Sequence, residues 1–445
     1  MKRITALLVC MECLTVNGQR LWTMEQCMQY AVSHNYEVRM QSVNVSDYQI
    51  EKVRQTAAFL PYMGGSVGVQ YNFGRAIDPE TNTYTDVSTF YNSYGLSASL
   101  PVFDGFQRLN DLRAARANLL MGRNRLQAQK DATAQRVMQS YIQVLYYRES
   151  IAIARQKQSE SHLLLQQTRK MAEVGRKSEA DVAQIQAVCA ADDYEVTRQE
   201  SFLENALLQL KQQMNYPIDH PLEIVPPALA DDQQILLPAD SSNESSEIYA
   251  VARQNNPEVK LAEYGLRSAK YAYRSSLGAL FPSLTVGAGV STTYYKQLHV
   301  VSAASFREQF RNNAGEYVYA TLSIPLFNRL NTLSNIRRQR NNVKRAEEEL
   351  SYRHNELQRL IREALTDLKN CRKEAEKMRL KVEADSMAAH LTSRQYEEGL
   401  ASTIDVQTSA TALLQSRAQL LQCRLTYLYK IRMLNYYKGV PLWIE

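Results

Sequence analysis

The chain is written twice, and a repeat on this scale constrains the fold more tightly than any single motif. Asn35-Tyr36-Glu37-Val38 returns as Asn256-Pro257-Glu258-Val259, 221 residues later, and Phe59-Leu60-Pro61 returns as Leu280-Phe281-Pro282 at the same offset. Further along the offset is 224: Leu100-Pro101-Val102-Phe103 pairs with Ile324-Pro325-Leu326-Phe327, and Gly175, Ser178 and Asp181 pair with Gly399, Ser402 and Asp405. Register kept this long is not chance. The first copy is expected over 19–215 and the second over 248–439, with a short tail at 440–445. A connector over 216–247, carrying Pro217, Pro221, Pro226, Pro227 and Pro238, joins them.

Each copy predicts the same order of parts. A helix comes first (about 24–58, and 246–279), then two short strands (about 62–73 and 92–102; 283–294 and 316–326). A very long helix follows (about 105–173, and 329–397), then a tip turn (about 174–178, and 398–402) and a return helix (about 179–214, and 403–437).

The strands have one greasy side. Val67, Val69, Tyr71 and Phe73 alternate with Ser66, Gly68, Gln70 and Asn72, while Tyr94, Leu96, Ala98 and Leu100 alternate with Ser93, Gly95, Ser97 and Ser99. Leu284, Val286, Ala288 and Val290 do the same in the second copy, as do Val318, Ala320, Leu322 and Ile324. Alternation of period two puts all these apolar side chains on one face. A soluble sheet packed on a core alternates in the same way. Two features favour a membrane wall instead. Each run has about the 9–11 residues that cross a bilayer when tilted. Aromatics also collect at both ends, with Phe59, Phe103, Phe281 and Phe327 on the helix side. Tyr71, Phe73, Tyr91, Tyr94, Tyr294 and Tyr295 lie on the loop side. Paired girdles of this kind anchor a barrel at its two interfaces. Four strands cannot close a barrel, and an open edge in lipid leaves backbone groups unpaired. Other chains must complete the wall, so the protein is expected to be an oligomer.

A helix over 105–173 is about 100 Å long at about 1.5 Å per residue, too long for one globular core. It needs lateral partners. Val343, Leu350, Leu357, Ala364, Cys371 and Met378 recur every seven residues, and Leu414, Leu421 and Leu428 do likewise in the return helix. Such spacing reads as coiled-coil seams. The tips carry the sharpest local signal, Gly175-Arg-Lys-Ser178-Glu-Ala-Asp181 and Gly399-Leu-Ala-Ser402-Thr-Ile-Asp405. Glycine ends a helix in the left-handed conformation, serine three residues later caps the next helix, and aspartate occupies the capping-box position.

Composition closes off other classes. The net charge of +6 is spread along helices among acidic residues, which is unlike a nucleic-acid stripe. The six histidines form no metal-binding spacing and no P-loop occurs, so neither an enzyme nor a cofactor is implied. Beyond the first twenty residues, Cys27, Cys189, Cys371 and Cys423 stand far apart and imply neither disulfide framework nor zinc site. The N-terminus reads as a signal peptide over 1–18: Lys2 and Arg3 are followed by an apolar stretch to Val16, where Cys10 and Cys13 read as apolar signal residues.

On the duplicated order of parts, the Leu-Pro-Val-Phe junction with its Ile-Pro-Leu-Phe counterpart, and both Gly-x-x-Ser-x-x-Asp tips, the chain resembles the TolC family of outer-membrane efflux proteins. The resemblance spans essentially the whole mature chain. It implies a mainly α protein with transmembrane β strands. Three chains would share a twelve-stranded β-barrel in the outer membrane and a periplasmic tunnel of coiled-coil helices. It implies partners too: a periplasmic adaptor docking at the tips, an inner-membrane pump behind it, and outer-membrane lipid. Carried over residue by residue, Gly175, Ser178, Gly399 and Ser402 mark the docking tips, while Asp181, Asp405 and Tyr396 line the periplasmic entrance. Tyr396 matches a family tyrosine that links to a tip aspartate, with Asp181 at the partner position. Ala401 stands where well-known members have arginine and Thr408 where they have a second aspartate, so Arg176 and Lys177 are candidates for the closing network. The alternative is a periplasmic coiled-coil adaptor, or a structural protein without a pore.

Overall fold

The computed structural model describes residues 21–77, 82–86, 88–225, 244–298 and 304–443. The expected signal peptide and the middle of the Pro-rich connector lie outside these residues. The described chain divides into two compact units. Unit 1 takes residues up to Ser42, Leu126–Asn256 and Asn355 onward; unit 2 takes Val43–Arg125 and Pro257–His354.

Unit 1 is almost wholly helical. It holds α1 (Met24–His34), the greater part of α3 (Gln107–Glu173), α4 (Glu179–Met214), α5 (Glu244–Asn255), the later part of α8 (Asn331–Glu397) and α9 (Thr403–Tyr437). Both α3 and α8 run 67 residues, or about 100 Å. Among the described residues no helix is long and apolar enough to cross a membrane.

The core of unit 1 gathers where α1 meets the long helices. Met24, Cys27, Met28 and Ala31 come from α1 at the three- and four-residue spacing of one helix face. They join Val137, Met138 and Tyr141 of α3, Leu210 and Met214 of α4, and Leu425 of α9. Two elements absent from the sequence expectation seal this core: β1 (Leu21–Trp22) and β6 (Glu223–Ile224) form a two-residue parallel pair. The hydroxyl of Tyr141 reaches the carbonyl of Trp22 at 3.0 Å and that of Val225. A phenol buried among apolar neighbours needs such an acceptor. The tail joins in as well, with Leu442 and Trp443 buried in the same cluster.

The opening helix of each copy, expected to be continuous, is broken in two. In the first copy α1 ends at His34 and α2 (Tyr36–Ala57) begins two residues on. Asn35 is extended (φ −62°, ψ 136°), its Oδ1 accepts from the Glu37 amide at 2.8 Å, and its Nδ2 donates to the Gln213 carbonyl at 3.0 Å. In the second copy Pro257 opens α6 (Pro257–Gly278). A proline pushes the residue before it out of the helical region and is tolerated at the first helical position. The repeated Asn-x-Glu-Val motif is thus a helix break. An asparagine within an apolar-periodic run reads as helical from sequence until its side chain is seen bonded to backbone.

Unit 2 contains one antiparallel sheet in the order β2-β5-β7-β8, built from β2 (Tyr62–Asn72), β5 (Thr89–Phe103), β7 (Ser283–Gln297) and β8 (Gly315–Ser323). A small hairpin, β3 (Arg75–Ile77) with β4 (Tyr84–Asp86), and a short helix α7 (Phe306–Asn312) occupy the loop end. Register sets Val67 opposite Tyr94, Tyr94 opposite Thr292, Leu96 opposite Val290, and Ala288 opposite Val318. The apolar residues of all four strands therefore share one face. Two girdle tyrosines do not belong to it: Tyr91 and Tyr295 lie opposite each other on the serine- and glycine-rich face. Phe90, which neighbours Tyr71 at 4.8 Å between ring centroids, supplies the greasy face instead. Parity along the strand fixes this, since Tyr91 is an odd step from Tyr94.

At the end of β5 the Leu-Pro-Val-Phe junction is clamped by Arg108. Its guanidinium donates to Asp104 at 2.6 Å, to the Ala58 carbonyl at 3.1 Å and to the Pro101 carbonyl. It also stands 5.5 Å from the Phe59 ring centre. One planar cation thereby satisfies carbonyls from a helix end and a strand end.

Candidate functional site

The two tips of unit 1 are built by the same local rules. After α3, Gly175 takes φ +74°, its amide donates to the Ala172 carbonyl at 2.9 Å, and the Arg176 amide donates to Met171 at 2.8 Å. After α8, Gly399 takes φ +80°, its amide donates to Tyr396 at 3.0 Å, and the Leu400 amide donates to Gln395 at 2.7 Å. This paired bonding ends a helix on a left-handed residue, a conformation in which a side chain is strained.

Ser178 and Ser402 then cap α4 and α9. The Asp181 amide donates to Ser178 Oγ at 3.2 Å, and the Ser178 amide donates to Asp181 Oδ2 at 3.0 Å. The Asp405 amide donates to Ser402 Oγ at 3.2 Å, and the Ser402 amide to Asp405 Oδ2 at 2.9 Å. Aspartate thus closes both capping boxes. Both carboxyls are held below the usual carboxylate range, Asp181 mainly by the Ser178 amide and Asp405 mainly by the Ser402 hydroxyl. Hydrogen bonds to the charged form are the cause.

Across the hairpins the tips meet asymmetrically. The hydroxyl of Thr403, itself buried, donates to Asp181 Oδ1 at 3.2 Å. Asp181 is therefore a cap for its own helix and an acceptor for the neighbouring hairpin, whereas Asp405 is exposed. Tyr396 is fully buried, and its hydroxyl lies 2.9 Å from Thr168 Oγ1. Thr168 gives its own proton to the Leu164 carbonyl at 2.8 Å, so Tyr396 is the donor in this pair. The Lys177 ammonium sits 4.2 Å from the Tyr396 ring centre, a cation–π contact that closes over the phenol. Within one chain the tyrosine is thus tied to Thr168 and Lys177, not to Asp181. Thr408 turns back on its own helix, bonding the Ile404 carbonyl at 2.8 Å.

Sequence reasoning missed Thr168 and Thr403. One signal was available: Ser161 and Thr168 stand seven residues apart and are both buried, so small polar residues occupy seam positions there. A cleft of about 440 Å³ lies between the hairpins above this seam, lined among others by Leu164, Ile185, Asp192, His390 and Leu413. Asp192 is buried and pairs with Lys157 at 3.0 Å. Among the described residues no group of three or more His, Cys, Asp or Glu is placed to hold a metal ion. The four described cysteines are free, and burial pushes the Cys27 thiol up to about 12.

This duplicated pattern of hairpins has counterparts among known proteins. The family model described as "Outer membrane efflux protein" matches residues 28–215 and again 248–435, one match per copy. The outer membrane efflux protein BepC of Brucella suis biovar 1 is 23% identical over 385 residues, which cover 86% of this chain and 76% of that one. CusC, whose crystal structures describe folding and transmembrane channel formation, superposes with a TM-score of 0.79 at 18% identity, over 94% of this chain and 92% of its own. VceC, an outer membrane protein from Vibrio cholerae, gives 0.78 at 13% identity, over 94% and 96%. The MtrE outer membrane channel of Neisseria gonorrhoeae, in its open state, gives 0.70 at 17%, over 94% and 89%. At such identities these structures testify to the fold. With the family model matching most of both copies, the chain belongs to the outer membrane efflux protein family, and its place is the outer membrane.

Proposed function

We propose that three copies of this chain close a single transmembrane β-barrel and a single helical tunnel, the exit duct of a tripartite efflux or secretion system. Substrates pass from periplasm to exterior chemically unchanged; the protein is a conduit and not an enzyme. The observation that carries this reading is the sheet of unit 2, apolar on one face and, among the described residues, unpaired at both edges, β2 and β8. All nine residues of β8 are exposed in the single chain. Unpaired strand edges are not sustained in lipid. The strands alternate in direction along β2-β5-β7-β8, so β8 of one copy meets β2 of the next antiparallel, and the pattern closes without a mismatch. The helices support the same assembly. Leu414 and Leu428 remain half-buried while Leu413, Leu421 and Leu425 are buried, which leaves α9 a second apolar side for a neighbouring copy.

In this duct the tips around Gly175, Ser178, Gly399 and Ser402 receive a periplasmic adaptor, itself attached to an inner-membrane pump. The space beside Gly175 and Gly399 is open, with nothing within 4 Å of where a side chain would begin. Asp181, Asp405 and Tyr396 border the periplasmic entrance, where rings of carboxylates act on passing ions. The test is reconstitution of the purified chain into planar bilayers. Discrete, cation-responsive conductance steps are expected. A preparation that enters bilayers without conducting would refute the duct, and Gly399→Leu with undiminished adaptor binding would refute the docking assignment.

A further inference from the structure

The short helix α7 is fixed to the apolar face of the sheet at its loop end. Tyr94 and Tyr294 lie on that face by register, with Val67, Leu96 and Val290. The Phe306 ring stands 6.3 Å from Tyr94 and 5.1 Å from Tyr294, and Phe310 stands 5.3 Å from Tyr94, all three edge-on. Hydrogen bonds fasten the backbone of the helix. The Thr292 hydroxyl donates to the Phe310 carbonyl at 2.6 Å, and Asn313 Nδ2 donates to the Thr293 carbonyl at 2.9 Å. Gln309 accepts from the Tyr295 amide and donates to its carbonyl, both at 3.0 Å. This pairing occupies the stretch of β7 beyond Ser291, where β8 no longer reaches.

Fastened as it is, α7 remains exposed. Phe306 and Phe310 keep 47% and 41% of their surface open, on the same side as the greasy strands. Arg307 and Arg311, one turn apart, form an exposed stripe about 100° around the helix from the phenylalanines. Lys296, opposite Phe90 on β7, adds a third exposed cation on that face. Glu308 is turned to its own N-cap, accepting from the Ser305 amide at 2.9 Å. Glu316 shares the apolar face by register but makes no ion pair with either arginine among the described residues.

Aromatic rings level with the apolar band and arginines beside them are the arrangement of an interfacial helix. Guanidinium groups match phosphate oxygens bidentately. We propose that α7 is a headgroup clamp, in which Arg307 and Arg311 bind the phosphates of outer-leaflet lipid while Phe306 and Phe310 seat at the acyl boundary. The inference rests on the barrel reading above, which puts the loop end of the sheet at the outer leaflet of the outer membrane. There the main lipid is a phosphorylated glycolipid, which carries the charge that this patch lacks.

The test is binding of rough-type lipopolysaccharide to the full chain in neutral detergent, against the same lipid with its phosphates removed. The wild-type protein is expected to prefer the phosphorylated form about tenfold. Arg307→Gln with Arg311→Gln should bring that preference below about twofold, while the double lysine variant keeps most of it, since lysine still binds phosphate as a point charge. Heat-modifiable migration on gels reports whether each variant assembles. If the glutamine variant does not assemble, the dephosphorylated arm on wild-type protein decides alone. Equal wild-type affinity for both lipids, or a preference untouched in an assembled glutamine variant, would overturn the clamp. Complete displacement of the lipid by inorganic phosphate would overturn it as well, assigning the patch to free anions. Wild-type protein that takes up no lipid at all would remove the barrel reading and the clamp together.

Discussion

At the scale of single residues, the tips show how far local chemistry reaches. Glycine at the left-handed position and serine at the N-cap act within one turn of chain, so both were legible from spacing. The partner of Tyr396 was not, because Thr168 lies 228 residues away. The hydroxyl pair makes a sharp prediction. Thr168→Val strands a buried phenol and should cost about 1–3 kcal/mol in denaturant melts. Tyr396→Phe leaves Thr168 bonded to Leu164 and should cost about 1 kcal/mol or less. The double variant should recover most of the first loss, and additive losses would contradict the pairing. Asp405 gives a pH prediction. Its carboxyl is depressed in the folded chain, so the stability it supplies is present above the ordinary aspartate range and is lost as pH falls through the lower folded value. Amide exchange at the start of α9 should therefore accelerate below about pH 4. Asp405→Asn should flatten that response while keeping an acceptor for the Ser402 amide, which isolates the effect of the charge.

At the scale of elements, alternation and heptads carried the reading, because faces of strands and seams of helices repeat along the chain. What escaped was set by contacts between distant segments. The break at Asn35 depends on the Gln213 carbonyl, and the β1–β6 pair joins segments about two hundred residues apart. The aromatics at the strand ends were legible by position, but period-two parity sets Tyr91 and Tyr295 on the face opposite Tyr94 and Tyr294. The α3–α9 pairing carries a titration of its own. Asp131 of α3 is buried, accepts from Tyr436 at 2.6 Å and from Gln127 at 3.0 Å, and is raised to about 6 chiefly by desolvation. Its folded value exceeds its unfolded one, so the folded state is favoured most below about pH 4, and that advantage is lost as pH rises through about 6. Asp131→Asn, whose Oδ1 can still accept from Gln127 while its Nδ2 donates to the Tyr436 hydroxyl, should raise stability at pH 8 by about 2 kcal/mol and leave it nearly unchanged at pH 4. An equal effect at both pH values would show that the carboxyl is not the cause.

At the scale of the whole molecule, duplication supplies two strand pairs and two helical hairpins, and the family match repeats over both copies. A lone chain leaves two strand edges bare, an apolar sheet face uncovered and a second side of α9 half-exposed. In the proposed assembly, further copies around a common axis meet the strand edges and the second side of α9, and lipid covers the apolar face. Copy number was not legible from residues alone, since antiparallel closure works for any number of four-stranded sheets and only the curvature of the finished wall selects one. The most direct measurement is therefore the native mass of the assembly extracted from outer membranes in mild detergent. Three chains, released as single chains on boiling, is the predicted result. A single chain that stays in solution without detergent would contradict the account.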